Sequence, residues 1–368
     1  MKIAIDMRAL PTSGIGCYSR ALLNLLPRMF PDVETVSVGD EVNFSQQNSQ
    51  GYMARLQRLW WEQVKLPRLL KARDIDLLHN PLNLGLPFRQ GVKSVVTIHD
   101  VIPLVYQDIY LSNAIARGYY RLALQLALNR SSRIITDSIF SRDEINKYMS
   151  VPRNKIKVIY LAAGEEFVPV SDPILQQIPA QKFGLNRPYV LTIGGSEPRK
   201  NVDRLVKVFQ HLSNNPGVDL AVVGGSWRGT KIRENISGPN NNIYFLGPVD
   251  QQELVALYSM AELFVFPSLY EGFGLPVLEA MACGTPVLAS NISSIPEVAG
   301  NAAILFNPLD EAEMSQVISD VLTSRETREE LSLRGLERAK LFTWEKTLTQ
   351  TMEVYQDVVA SKHSSNDR

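Results

Sequence analysis

Short β-rich runs alternate with longer helical patterns twice along this chain of 368 residues, and a proline-rich interval separates the two series. The first series runs KIAID, a helical YSRALLNLL, VETVSV, a long helical stretch from Met53 to Lys71, DLLHN, SVVTIHD, a helix around Arg117–Leu128, RIITDS and KIKVIY. The second runs YVLTIGG, a helix from Val202, DLAVVGG, a helix near Thr230–Ile236, NIYFLG, a helix from Gln251, ELFVFPS, a helix from Val277, PVLAS and C-terminal helices. Strands that alternate with helices of this length indicate parallel sheets covered by helices on both faces. The pattern predicts two doubly wound α/β domains, residues 1–168 and 188–343. Between them the stretch Glu165 to Pro188 has four prolines and little periodicity, so residues 169–187 read as a linker. Ligands of such sheets bind at the carboxyl ends of the strands, which places the expected site in a cleft between the domains.

The segment Ser268–Pro286, SLYEGFGLPVLEAMACGTP, follows one of those strands and sets Glu271 and Glu279 eight positions apart around a glycine-rich turn. Pro276 suits the first helical positions, and a helix start directs free N–H groups and a positive dipole end toward an anion. The carboxylates must serve something else, and sugar or ribose hydroxyls are suitable donors to them. Glu279 alone could simply complement the helix dipole. The pair around Gly272-Phe273-Gly274 needs more than that.

Other strand ends supply further candidates. In GGSEPRKN, Gly195, Arg199 and Lys200 combine close backbone approach with two cations, as a pyrophosphate requires; a solvated pair at a helix start is the plain alternative. VVGGSWRG offers Gly225 and Arg228. His99, ending SVVTIHD, could donate to a hydroxyl or phosphate, or could merely anchor its loop. Gly14 and Gly16 precede the first helix, but Ser19 stands where a dinucleotide fingerprint has its third glycine, which argues against a nicotinamide enzyme.

Lys plus Arg against Asp plus Glu is 21 to 15 over residues 1–170 and 17 to 23 over residues 171–368, a basic half followed by an acidic one. An anionic partner of the first half fits, either a lipid surface or a phosphate-bearing acceptor, and nothing points to nucleic acid. Tyr52–Arg73 holds six basic residues and the Trp60–Trp61 pair; it could rest on lipid headgroups, or pack its tryptophans on the core. Cys17 and Cys283 read as small buried hydrophobes in a reducing compartment. No apolar run approaches the ~20 residues of a membrane span. A cytoplasmic protein is expected, with a peripheral position at the inner membrane face as the alternative. There is no cysteine/histidine cluster, and Asp74 and Asp76 precede their strand as a solvated turn, so no metal and no cofactor are expected.

Taken together, SGIGCY, TIHDVIP, TDSIFSRDEI, GGSEPRKN, FLGPVD, EGFGLPVLEAMACGTPV and SSIPEVAG resemble the retaining GT-B glycosyltransferases of family 4, in that family's order from residue 8 to about residue 308. The resemblance implies two Rossmann-like domains and a final helix, residues 344–361, returning to the first of them. It implies a nucleotide-diphosphate sugar as donor co-substrate, with a glycan or lipid-linked oligosaccharide as acceptor. It assigns Glu279 to the ribose, and Glu271 with the backbone of Gly272, Phe273 and Gly274 to the donor sugar. Arg199 and Lys200 would grip the diphosphate across the cleft, helped by the backbone of Leu275. His99 would contact the donor sugar, and Gly16 would approach phosphate or sugar from the first domain. A UDP-hexose such as UDP-glucose is the first expectation for the donor, with GDP-mannose next. A glycosidase using both glutamates, a sugar-nucleotide epimerase and a non-catalytic binding protein are the competing readings.

Overall fold

The computed structural model describes residues 1–9, 14–40, 52–87, 91–111, 113–212, 217–225 and 242–361. The helix expected near Thr230–Ile236 lies outside them. The chain divides into two compact units, residues 1–160 with 344–368, and residues 161–343.

The first unit is built on six parallel strands, β1 (Lys2–Asp6), β2 (Glu34–Val38), β3 (Leu77–Asn80), β4 (Lys93–Thr97), β5 (Arg133–Thr136) and β6 (Ile156–Val158), in the order β2-β1-β3-β4-β5-β6. Ile3, Ala4 and Ile5 are fully buried, as are Val95 and Val96, because helices cover both faces of the sheet. The C-terminal helix Trp344–Ala360 packs on this unit against β4 and the Gly14–Met29 helix. Its Tyr355 hydroxyl bonds His79 Nδ1, and its C-terminal carbonyls at Val358 and Val359 accept from Lys93 Nζ. A lysine at a helix C-terminus meets both unpaired carbonyls and the negative dipole end.

The basic stretch is a helix (Tyr52–Trp60), a π-turn (Trp61–Lys65) and a second helix (Leu66–Ala72). The widened turn separates the tryptophans. Trp61 is buried and Trp60 is 57% exposed. It also carries Glu62 inward to Arg8, whose guanidinium is bidentate on Asp6, bonds Glu62 at 2.6 Å and lies 4.6 Å over the Trp61 ring.

The second unit repeats the plan with β7 (Tyr189–Ile193), β8 (Asp219–Val223), β9 (Ile243–Gly247), β10 (Leu263–Phe266), β11 (Val287–Ser290) and β12 (Ile304–Phe306), ordered β12-β11-β10-β7-β8-β9 and all parallel. All four residues of β10 are fully buried. Each such side chain contributes about 1.5–3 kcal/mol, so the strand that leads to the glutamate turn is firmly seated.

Residues 169–187 are folded into this second unit, which corrects the expected linker. Pro173 and Pro179 fall in the first turns of the helices Pro173–Gln176 and Ile178–Phe183, where a missing N–H costs nothing. Both helices pack on the helix Gln251–Ser259. Cys17 also departs from expectation: it is exposed, while Cys283 is buried.

Candidate active site

Glu271 sits just past β10, and its Oε1 accepts from Lys200 Nζ at 2.7 Å, Arg199 Nη1 at 3.0 Å and Ser268 Oγ at 2.6 Å. Burial pushes this carboxyl up, but Lys200 and Arg199 outweigh burial and hold it below the ordinary value, so it is ionised. Arg199 Nη1 also bonds the Tyr270 carbonyl at 3.1 Å. The two cations stand on the 3₁₀ turn Pro198–Lys200 after β7, a neighbour of β10 in the sheet. This corrects the expectation that they act across a cleft from Glu271: all three groups belong to one unit and are in direct contact. The parallel pairing of β7 with β10 brings their following loops side by side.

Two serines shape the turn itself. Ser294 Oγ lies 2.9 Å from the Glu271 carbonyl and 2.7 Å from that of Phe273, and Ser293 Oγ accepts the Glu271 N–H at 3.2 Å. Gly274 has φ +112°, a conformation that strains any residue with a Cβ, and Leu275 and Pro276 then open the helix Leu275–Ala282. Phe273 is buried edge-on against Phe342 at 5.9 Å, and Arg338 covers the other ring at 5.0 Å. Gly272 completes the loop.

Glu279 lies one turn into that helix in a different environment. Burial raises its carboxyl to about 7, with Glu166 adding to the rise, while the Tyr258 hydroxyl 3.1 Å from Oε2 and the charge of Lys200 pull the other way. The two glutamates are therefore distinct groups, one ion-paired and one poised near neutrality.

Gly195 and Gly225 end β7 and β8 with their backbones in near contact: a Cβ on Gly225, at φ +66°, would come 2.8 Å from Gly195 Cα. The same pairing that suits close approach of a ligand is thus demanded by the sheet. Arg228 lies outside the described residues.

The first unit holds His99, Gly14 and Gly16. Gly16 is buried in the first turn of its helix, and Gly14 is exposed at its start. His99 is 9% exposed, and its Nδ1 lies 2.6 Å from Asp137 Oδ2, within hydrogen-bond distance. Burial pushes the imidazole down, but Asp137 foremost, with Asp100 and the Pro81 carbonyl, raises it overall. Asp137 follows β5, and the fold brings it to His99 because β4 and β5 run in parallel. His79, in contrast, is fully buried, bonded at both nitrogens to Tyr355 and Thr97, and pushed down to about 3. It is a neutral core residue. Among the described residues no group of three or more His, Cys, Asp or Glu could hold a metal, and no helix is long and apolar enough to cross a membrane.

Asp137, Ser268, Ser294 and Tyr258 were not legible as site residues. The signal for Asp137 was its place directly after a β-run, in TDS; Ser268 likewise follows the run ELFVF, and Ser294 stands just before IPEVAG.

A family profile described as "Glycosyl transferases group 1" matches residues 175–338, and one described as "Glycosyltransferase Family 4" matches residues 14–163. The O-antigen chain mannosyltransferase B of Escherichia coli is 34% identical over 290 residues, 76% of this chain and 74% of that one. This chain belongs to glycosyltransferase family 4. The glycosyltransferase is also 33% identical over 264 residues to the serotype-specific mannosyltransferase WbdA of Escherichia coli, covering 69% of its own length and 32% of that longer chain. Among solved structures, Anabaena HepE in complex with UDP-glucose superposes with a TM-score of 0.75 at 18% identity, covering 97% of this chain and 100% of that one. Such a likeness concerns the fold, which is GT-B.

Proposed function

We propose that this glycosyltransferase moves a mannosyl residue from a nucleoside-diphosphate mannose, GDP-mannose foremost, to a hydroxyl of a glycan or lipid-linked oligosaccharide during polysaccharide assembly. The carrying observation is that the relatives at 31–34% identity are named as O-antigen or serotype-specific mannosyltransferases. That moves the donor preference away from the UDP-hexose first expected.

In this reading Arg199 and Lys200 take the diphosphate. Negative charge grows on the leaving oxygen as the anomeric bond breaks, so two fixed cations in a largely buried site lower the barrier. These cations supply what a metal would supply, and the reaction is read as metal-independent. Glu279 accepts from the ribose hydroxyls, and Glu271 with the Gly272–Gly274 backbone meets the sugar. The acceptor hydroxyl attacks from the leaving-group face, with retention, and its proton passes to the departing phosphate oxygen. A glycosidase reading fits less well, since Glu271 has three donors on Oε1 and is ion-paired, as a free nucleophile would not be.

The test is a thermal-shift panel of GDP, UDP and ADP and their hexose conjugates, followed by product analysis with the best donor and a mannosylated acceptor. Stabilisation by GDP and GDP-mannose, with acceptor-dependent release of GDP, is expected. Release of UDP from a UDP-hexose at a greater rate would refute the mannose assignment.

A further inference from the structure

The His99–Asp137 pair has no role in the proposal above; the family resemblance implies only that His99 contacts the donor sugar. Its geometry is specific. Nδ1 is committed to Asp137 Oδ2, and Nε2 is buried and makes no well-formed hydrogen bond among the described residues, the Pro81 carbonyl being the backbone group that bears on the ring. Asp137 is 2% exposed, and among the described residues its other oxygen, Oδ1, has no hydrogen-bond partner. The backbone on both sides is fixed: Thr136 Oγ1 donates to the Ile98 carbonyl at 2.6 Å and Ser141 Oγ to the His99 carbonyl at 3.1 Å. The Tyr18 ring stands edge-on to the imidazole at 5.2 Å, so the ring cannot turn freely.

We propose that Asp137 is a positioning residue that holds the His99 ring with its proton on Nδ1 and its Nε2 presented to a substrate oxygen. A carboxylate on one nitrogen leaves only the other for a ligand and fixes which protons the ring carries. Other groups near the ring do not substitute for it. Asp100 uses Oδ1 to cap the Ile102 N–H at 3.0 Å, His79 is bonded at both nitrogens and neutral, and burial keeps the Tyr18 hydroxyl protonated. Among the described residues, the ion pair at His99 is with Asp137. While the carboxylate is ionised, the ring keeps its second proton to higher pH, and Nε2–H acts as a donor. Once that proton leaves, Nε2 becomes an acceptor and a substrate oxygen loses its donor.

This rests on the glycosyltransfer reading only for its kinetic consequence, so the decisive measurement is independent of turnover. The full chain, labelled with ¹⁵N-histidine, has four histidines to follow by NMR, with His99→Gln giving the assignment. Wild type should show His99 protonated on Nδ1 and titrating above the free-imidazole value. Asp137→Asn should lower that midpoint by about one unit or more, as expected for loss of an adjacent opposite charge. Asp137→Glu should restore much of it and serves if the asparagine variant folds poorly. In turnover, the alkaline limb of the kcat/KM profile should move down with the titration. A folded Asp137→Asn protein whose His99 titration and pH profile match wild type would overturn the proposal, even if its activity were lower. An altered titration together with a failed sugar-transfer assay would count against the glycosyltransfer reading and leave the positioning role standing.

Discussion

Glu279 offers the most quantitative test of the site. Its carboxyl is raised from an ordinary 4.5 to about 7, chiefly by burial. In the unfolded chain it ionises near 4.5, whereas in the folded protein it stays protonated until pH approaches 7. A raised carboxyl therefore costs stability as pH climbs from 4.5 to 7, and the cost is complete above 7. At about 1.4 kcal/mol per pH unit, the interval amounts to about 3 kcal/mol. For a unit of this size that corresponds to roughly 6 to 12 °C in Tm.

Glu279→Gln keeps the shape and a group able to accept from Tyr258, and removes the ionisation. The variant should gain on wild type by about 3 kcal/mol when the comparison moves from below pH 4.5 to above pH 7, with most of the change between those limits. Urea unfolding of both proteins at a series of pH values measures the gap directly, and titrating groups that do not interact with Glu279 cancel in the difference. A constant gap across that range, or one that closes with rising pH, would refute the buried-carboxyl account. If Glu279 takes the ribose as proposed, the gain in stability comes with a loss of donor affinity, because an amide offers the ribose diol one acceptor oxygen and no charge.

Glu271 carries the opposite sign. Its lowered carboxyl contributes stability that is complete above its ordinary value of 4.5 and is lost as pH falls through the folded value. Glu271→Gln leaves Arg199 and Lys200 without their buried counter-charge and should cost about 3 kcal/mol at pH 7; inorganic pyrophosphate should stabilise this variant more than wild type in urea unfolding, and equal stabilisation of the two would count against an anion site at the cations. Gly225→Ala should cost about 1–3 kcal/mol, since an alanine at φ +66° is strained and its Cβ would collide with Gly195; a melting temperature equal to wild type would show that β7 and β8 can part at no cost.

The strand–helix alternation made both sheets legible, because period-2 apolar runs and helical spacing are local properties. The folded segment at 169–187 was hidden because proline marks a helix start and an extended linker equally well until a packing partner, here the helix Gln251–Ser259, is known. Glu271, Arg199 and Lys200 could be named from their strand-end positions. Their mutual contact could not, since it depends on β7 pairing with β10 across two intervening strands in sequence. Asp137 was invisible for the same reason: nothing local in TDS states that β4 lies beside β5. Tyr258 reads as a core aromatic in its helix, and only the Leu275–Ala282 helix packed against it turns its hydroxyl into a partner of Glu279.

In the proposed reading, the charges of the second unit give the two glutamates different tasks. Two adjacent, largely buried cations repel each other; Glu197 pairs with Arg199 from the exposed side, and Glu271 supplies a counter-charge that meets both cations in the free protein. In the proposed reading, the diphosphate brings more negative charge than Glu271 and takes the cations over, leaving that carboxylate to accept from sugar hydroxyls. Glu279 cannot exchange in this way, because its partner is a neutral phenol and its own charge is only marginally present at neutral pH. In that reading one carboxylate neutralises part of the cationic charge before the donor arrives, and the other, held near 7 by burial, stays largely outside that ion pairing.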